Sequence, residues 1–323
     1  MPANNLDEQL NKYLTDAHSI EEQALVQMRL APRLAGTPAI AAIFRDHIPE
    51  TEEHERLTRE RLQARGAAPS KVKDLVMKAG GTGFALFAKS QPDTPGKLVA
   101  HAYSYEHLEL ASYELLLRVA DRADDHATAD VARRIRAQED AMAQRLAGVF
   151  DAAVDASLAA KGAGDLETQL KKYLSDAHAI EAQAIQMLEA APKIGGAGEL
   201  EELYSSHLEE SRHHQELVRE RLTAHGAGPS RFKDVAMRTG AINWGTFFGG
   251  QPDTPGKLAA FAYAFEHLEI AGYEQLKRVA TRAGDAQTAD AADVILAQER
   301  AAAERIAGAF DTAAEASLVE QGV

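Results

Sequence analysis

Residues 5–160 are read out a second time, 160 positions later in the same chain. QPDTPGKL at 91–98 returns unchanged at 251–258, YEHLELASYE (105–114) returns as FEHLEIAGYE (265–274), and KYLTDAHSIE (12–21) as KYLSDAHAIE (172–181). Solenoid units run to roughly 20–50 residues, so a period this long is the duplication of a whole domain. With 323 residues in all, each copy is long enough to bury a core of its own. The expected division is 1–161 and 165–323, and the Lys161-Gly162-Ala163-Gly164 connection is short for a flexible tether. The two copies are therefore expected to pack as a covalent pseudo-dimer, with a further homo-oligomer open.

Within each copy Ala, Leu, Glu, Arg and Gln dominate, and apolar residues recur at alternating steps of three and four. That is the helical period, and the predicted class is all-α. Start and stop signals place a first helix over about 5–31 and a second from Gly36-Thr37 to Gly66; a third runs from Asp93-Thr94-Pro95 to about 122, and a fourth over about 125–160. The first two and the last two are joined by a few residues, so each pair is an antiparallel hairpin, whereas Ala67 to Pro92 forms a long crossover. Two hairpins and one long crossover make a ferritin-like four-helix bundle, here twice in tandem. Within the crossover, 70–78 reads as a short helix, and 83–87 and 243–248 as an aromatic patch that covers the core or joins the halves.

The interior seams of such a bundle should be apolar, and these are interrupted by acids. The first helix reads Leu10, Leu14, Ala17, Glu21, Ala24, Met28; the second Ile43, His47, Glu50, His54, Leu57; the third Val99, Ala102, Glu106, Glu109, Tyr113, Leu116; the fourth Ile135, Glu139, Met142, Leu146. The second copy repeats the pattern with Glu181, Glu210, His214, Glu266, Glu269 and Glu299. A lone acid on one seam is usually a solvated edge. Coincidence on four helices is different, because five carboxylates cannot share a dry core as anions: either several stay protonated or cations neutralise them. Two divalent ions bring +4 against five negative charges, which favours a dinuclear site. The expected ligands are Glu21, Glu50, His54, Glu106, Glu109 and Glu139, with Glu181, Glu210, His214, Glu266, Glu269 and Glu299 in the second copy. His213 competes with His214 through its E-x-x-H spacing from Glu210, but only the i+4 histidines recur in both copies. His47, His207, His18 and His178 read as supporting donors or core histidines, and Tyr113 and Tyr273 as core tyrosines bonding a carboxylate or as redox-active or proton-relaying groups. Pro49 is expected to kink the second helix in the first copy only.

Composition narrows the chemistry. Lys and Arg total 35 against 49 Asp and Glu, a net charge of −14 that argues against nucleic acid. No signal pattern and no apolar run of about 18 residues occurs, so neither membrane insertion nor export is expected and the location is read as cytoplasmic. Cysteine is absent, so a metal must be held by O and N ligands and thiol chemistry is excluded. Gly80, Gly81 and Gly83 lack the G-K-[ST] that a phosphate loop requires.

EHLELASY (106–113) with EHLEIAGY (266–273), the KYL-DAH-IE helix and the Gln138-Glu139 and Gln298-Glu299 pairs resemble the ferritin-like stress proteins of the YciE/YciF type. The resemblance covers nearly all of each copy and implies a single bundle that dimerises, with a metal site. Glu106 and Glu109, three apart, are similar to the rubrerythrin arrangement, which implies peroxide reduction at a di-iron site. The sequence departs from it on the fourth helix, where Met142 or Ala302 stands in place of a second histidine. The resulting expectation is two metal ions per bundle, iron first and manganese second, oxidising Fe(II) or consuming peroxide with O2 or H2O2 and an external electron donor. The alternatives are an O2-activating oxygenase acting on an organic substrate and a metal-free helical interaction or stress-protection protein.

Overall fold

A computed structural model describes residues 2–70, 94–159, 165–194, 198–229 and 254–323. The described residues are helical apart from turns and caps. In the first half α1 spans Pro2–Leu30, α2 Pro38–Ala64, α3 Thr94–Arg122, α4 His126–Ala147 and α5 Phe150–Ala159; in the second α6 spans Leu166–Ile194, α7 Glu199–Ala224, α8 Thr254–Ala283, α9 Ala286–Gly308 and α10 Phe310–Glu320. The chain divides into two compact units, Met1–Ala160 with Gln321–Val323, and Lys161–Glu320. The short helix expected over 70–78, the aromatic patch at 83–87 and 243–248 and the Gly80–Gly83 run fall outside the described residues, save Ser70.

The helix ends are set by local chemistry. Thr37 accepts a hydrogen bond from the Ile40 amide (3.3 Å) ahead of Pro38, and Asp125 accepts one from the Thr128 amide (3.0 Å), as Asp285 does from Thr288 (3.1 Å). α2 closes on Gly66 at φ +70°, a left-handed conformation in which the Ala67 amide reaches back to the Leu62 carbonyl (2.9 Å). Gly36, at φ +75°, also lacks room for a side chain, since a Cβ there would meet Pro95 Cγ at 2.6 Å. α2 runs unbroken through Pro49.

In the first unit α1 packs on α2 and α3, and α4 packs on α2 and α3, a closed ring of four around one interior; α6, α7, α8 and α9 form the same ring in the second. Leu10, Leu14, Met28, Ile40, Leu62, Leu116, Ile135 and Met142 are fully buried there. The single fourth helix expected over about 125–160 is two helices, because the chain turns at Gly148-Val149, where the Gly148 amide caps the Gln144 carbonyl (3.1 Å). The break tucks Phe150 inward against Tyr103, ring centroids 5.4 Å apart, and lets Ser157 Oγ accept from the Gly96 amide (2.8 Å) at the start of α3. Phe310, Tyr263, Ser317 and Gly256 repeat both contacts in the second unit.

Candidate metal centre

Each helix of the ring contributes to one polar cluster in an otherwise apolar interior. Glu21 from α1, Glu106 and Glu109 from α3 and Glu139 from α4 are at most 1 % exposed, and so are His47 and His54 from α2. The seams read for α1, α3 and α4 face inward along their whole length. On α2 the buried stripe is Ile40, Phe44, His47, Thr51, His54, Thr58 and Leu62, which moves Ile43, Glu50 and Leu57 to its flank. α7 buries Leu200, Tyr204, His207, Ser211, His214, Val218 and Leu222 in the same register, while His213 is exposed. Thr51 and Ser211 are tolerated on these stripes because each hydroxyl donates to the carbonyl one turn earlier, on His47 and His207 (both 3.1 Å).

The placements expected on α2 are thereby exchanged. Glu50, expected among the ligands, lies at the rim, where Oε2 faces His47 Nδ1 at 2.7 Å and accepts from Arg145 Nη2 at 2.8 Å. Glu210 occupies the same place against His207 (3.0 Å) and Arg305. His47 and His207, expected only to support, point Nε2 into the cluster instead: His47 lies 3.2 Å from Glu139 and 3.6 Å from Glu106, His207 2.9 Å from Glu266 and 3.7 Å from Glu299. The physical reason is angular. Positions 47 and 54 are two turns apart and share a face, whereas 50 is rotated by about 60° from 47. The second helix thus brings two imidazoles to the cluster and the fourth helix none, and the i, i+7 spacing of His47 and His54 was the signal for it.

In the first unit five of these six donors fall into two groups that share one carboxylate, and Glu109 stands outside both. Glu21, His54 and Glu139 form one and His47, Glu106 and Glu139 the other, each offering donor atoms within 4.8 Å of one another. In the second unit the groups are Glu181, His214 and Glu299, and His207, Glu266, Glu269 and Glu299. Glu139 turns Oε1 to His54 Nδ1 (2.7 Å) and Oε2 to His47 Nε2, and Glu299 does likewise with His214 (2.8 Å) and His207. The outer nitrogens are held as well: His54 Nε2 donates to Gln138 Oε1 (3.1 Å), and His214 Nε2 to Gln298 Oε1 (2.8 Å). In the neutral imidazoles this leaves lone pairs on Nδ1 of His54 and Nε2 of His47, both aimed inward. Tyr113 donates from its hydroxyl to Glu21 Oε1 (2.5 Å), as Tyr273 does to Glu181.

Charge decides what the cluster can hold. Burial, reinforced by neighbouring carboxylates, pushes Glu106, Glu109 and Glu269 well above the usual range, and burial lifts Glu181 to about 8 and Glu266 to about 7. Burial would raise Glu139 too, but its contacts with His47 and His54 outweigh that and hold it low. The same contacts overcome the desolvation of the imidazoles, lifting His54 to about 11 and His214 to about 9. Without a cation these shifts favour protonation of the cluster. Among the described residues, no hydrogen-bond donor reaches either oxygen of Glu109 or of Glu269, a costly state for buried polar atoms that a ligand would relieve. With Glu50 paired to Arg145, four carboxylates remain inside, and two divalent ions bring +4 against −4 with both imidazoles neutral. The N and O donor set suits iron, manganese or zinc.

The sequence model of a domain of unknown function, DUF892, matches residues 5–159 and again 165–319. No solved structure matches the chain.

Proposed function

Because the chain belongs to the DUF892 family in both of its halves, we propose that each half is a dinuclear carboxylate centre that oxidises Fe(II) or consumes peroxide, in keeping with the stress proteins it resembles. The observation that carries this reading is the shared glutamate, one oxygen toward each histidine, between two donor groups in a cluster whose four buried carboxylates match the charge of two divalent ions. Iron is the first choice, since such an ion pair, when bound, supplies paired one-electron steps to O2 or peroxide; manganese is the second.

The chain's own residues do the rest. Glu139 and Glu299 would set the spacing of the two positions, and each histidine would give one nitrogen to one of them. Gln138 and Glu50 fix the imidazole tautomers from opposite sides, and the Tyr113 hydroxyl holds Glu21 to one rotamer. Glu269, and Glu109 beside its donor groups, would offer oxygens that no hydrogen-bond donor reaches among the described residues. The apolar side chains above and below exclude water, which strengthens each electrostatic contact. With no cysteine in the chain, reducing equivalents have to come from an external donor.

Anaerobic Fe(II) titration of metal-free protein, followed by O2 or H2O2, tests the proposal. It expects about four irons per chain, two per bundle, and a ferric absorption band after the oxidant. Iron that reacts only with an added organic substrate would favour an oxygenase, and absence of stoichiometric binding would end the metal reading.

A further inference from the structure

A second kind of donor cluster lies outside the buried centre and, among the described residues, in the first half alone. His18 and Glu22 are four residues apart on α1 and so share one face, and Glu55 projects from α2. His18 Nε2 lies 2.9 Å from Glu55 Oε1, and one donor atom from each of the three residues falls within 4.8 Å of the other two. His18 is 2 % exposed and Glu55 8 %, while Glu22 is half-buried. The cluster is a neighbour of the centre in sequence as well as in space. Of the adjacent pairs Glu21-Glu22 and His54-Glu55, the first member belongs to the inner cluster and the second to this outer one.

We propose that His18, Glu22 and Glu55 form a third divalent-cation site of the first bundle, at the α1–α2 seam beside the buried centre. One imidazole and two carboxylates leave coordination positions for water, a donor set that zinc, manganese and ferrous iron accept. Arg59 Nη1, which donates to Glu55 Oε1 at 2.8 Å, offsets one of the two negative charges. Its side chain is 43 % exposed, so withdrawing it costs little. The second half provides the control: His178 is kept, but Ala182 and Gln215 stand where Glu22 and Glu55 would be, so the same fold there lacks both carboxylates.

The test is the number of Zn(II) ions held at saturation by the metal-free full chain, compared among the natural protein, E22A/E55Q and A182E/Q215E, with helicity checked by circular dichroism. The count should fall by one ion per chain in E22A/E55Q and rise by one in A182E/Q215E. Equal counts in all three would show an ion-paired cluster without metal affinity and overturn the proposal. If E22A/E55Q loses more than one ion, the substitutions have disturbed the adjacent centre, and the A182E/Q215E count then decides alone. Because only differences are read, the result stands whether or not the buried centres take zinc.

Discussion

Glu50 Oε2 lies 2.7 Å from His47 Nδ1, and Glu210 holds His207 in the same way at 3.0 Å, so in both halves a rim carboxylate orients a buried imidazole. Removing an outer partner of this kind costs roughly 10–100-fold in metal affinity, whereas removing a ligand removes the site. E50A/E210A should therefore keep its metal stoichiometry with weakened affinity, and H47A/H207A should lose one ion per bundle. Calorimetric titration with Fe(II) or Mn(II) separates the two outcomes; an unchanged affinity in E50A/E210A would contradict the assigned role.

Glu139 and Glu299 each serve both donor groups of a bundle, so E139A/E299A should abolish binding at both positions rather than one. The metal-free protein should suffer too, by about 3–5 kcal/mol per bundle, because two imidazolium groups are left buried without their counter-charge. Denaturant unfolding without metal checks this, and a loss below 1 kcal/mol would mean that the cluster relaxes toward water.

E109Q/E269Q should behave in the opposite way. Burial pushes Glu109 and Glu269 far up and so favours their neutral form, which an amide matches in shape. The metal-free protein should keep or slightly raise its melting temperature while metal affinity falls at least tenfold. A marked loss of metal-free stability would show that these groups carry charge in the fold.

The pH dependence follows from the same shifts. His54 and His214 are raised to about 11 and about 9, and Glu181 and Glu266 to about 8 and about 7, so the folded metal-free protein holds more protons at neutral pH than the unfolded chain. Stability then falls as pH rises. The histidine contribution is complete below about 6.5, the unfolded imidazole value, and is lost through about 9 in the second bundle and about 11 in the first. The glutamates, ionised above about 4.3 when unfolded, add a cost that grows until pH passes their raised folded values. Metal uptake must displace these protons, so affinity should rise with pH over the range in which metal-free stability falls. Titration in weakly buffered solution should record proton release on metal addition; no release would contradict the proton-occupied cluster.

Much of this was legible in the sequence. The 160-residue repeat, the four seams per copy and the inward acids of α1, α3 and α4 all follow from the helical period, because acids replaced residues in an otherwise unbroken apolar stripe. On the second helix the pattern places His47 and His54 on the buried stripe but misleads at Ile43, Glu50 and Leu57. Its true stripe carries Thr51 and Thr58, whose hydroxyls are satisfied within the helix, while Ile43 and Leu57 on the flank imitate an apolar seam. The turn at Gly148-Val149 was hidden because apolar residues on both sides keep the helical period; only the burial of Phe150 against Tyr103 shows why the chain bends there.

An anomalous-difference map from crystals grown with Fe(II) under anaerobic conditions tests the central claim most directly. The account predicts two peaks inside each bundle, one on either side of the Glu139 carboxylate and one on either side of Glu299. A single peak per bundle, or an interior without peaks around those glutamates, would contradict it.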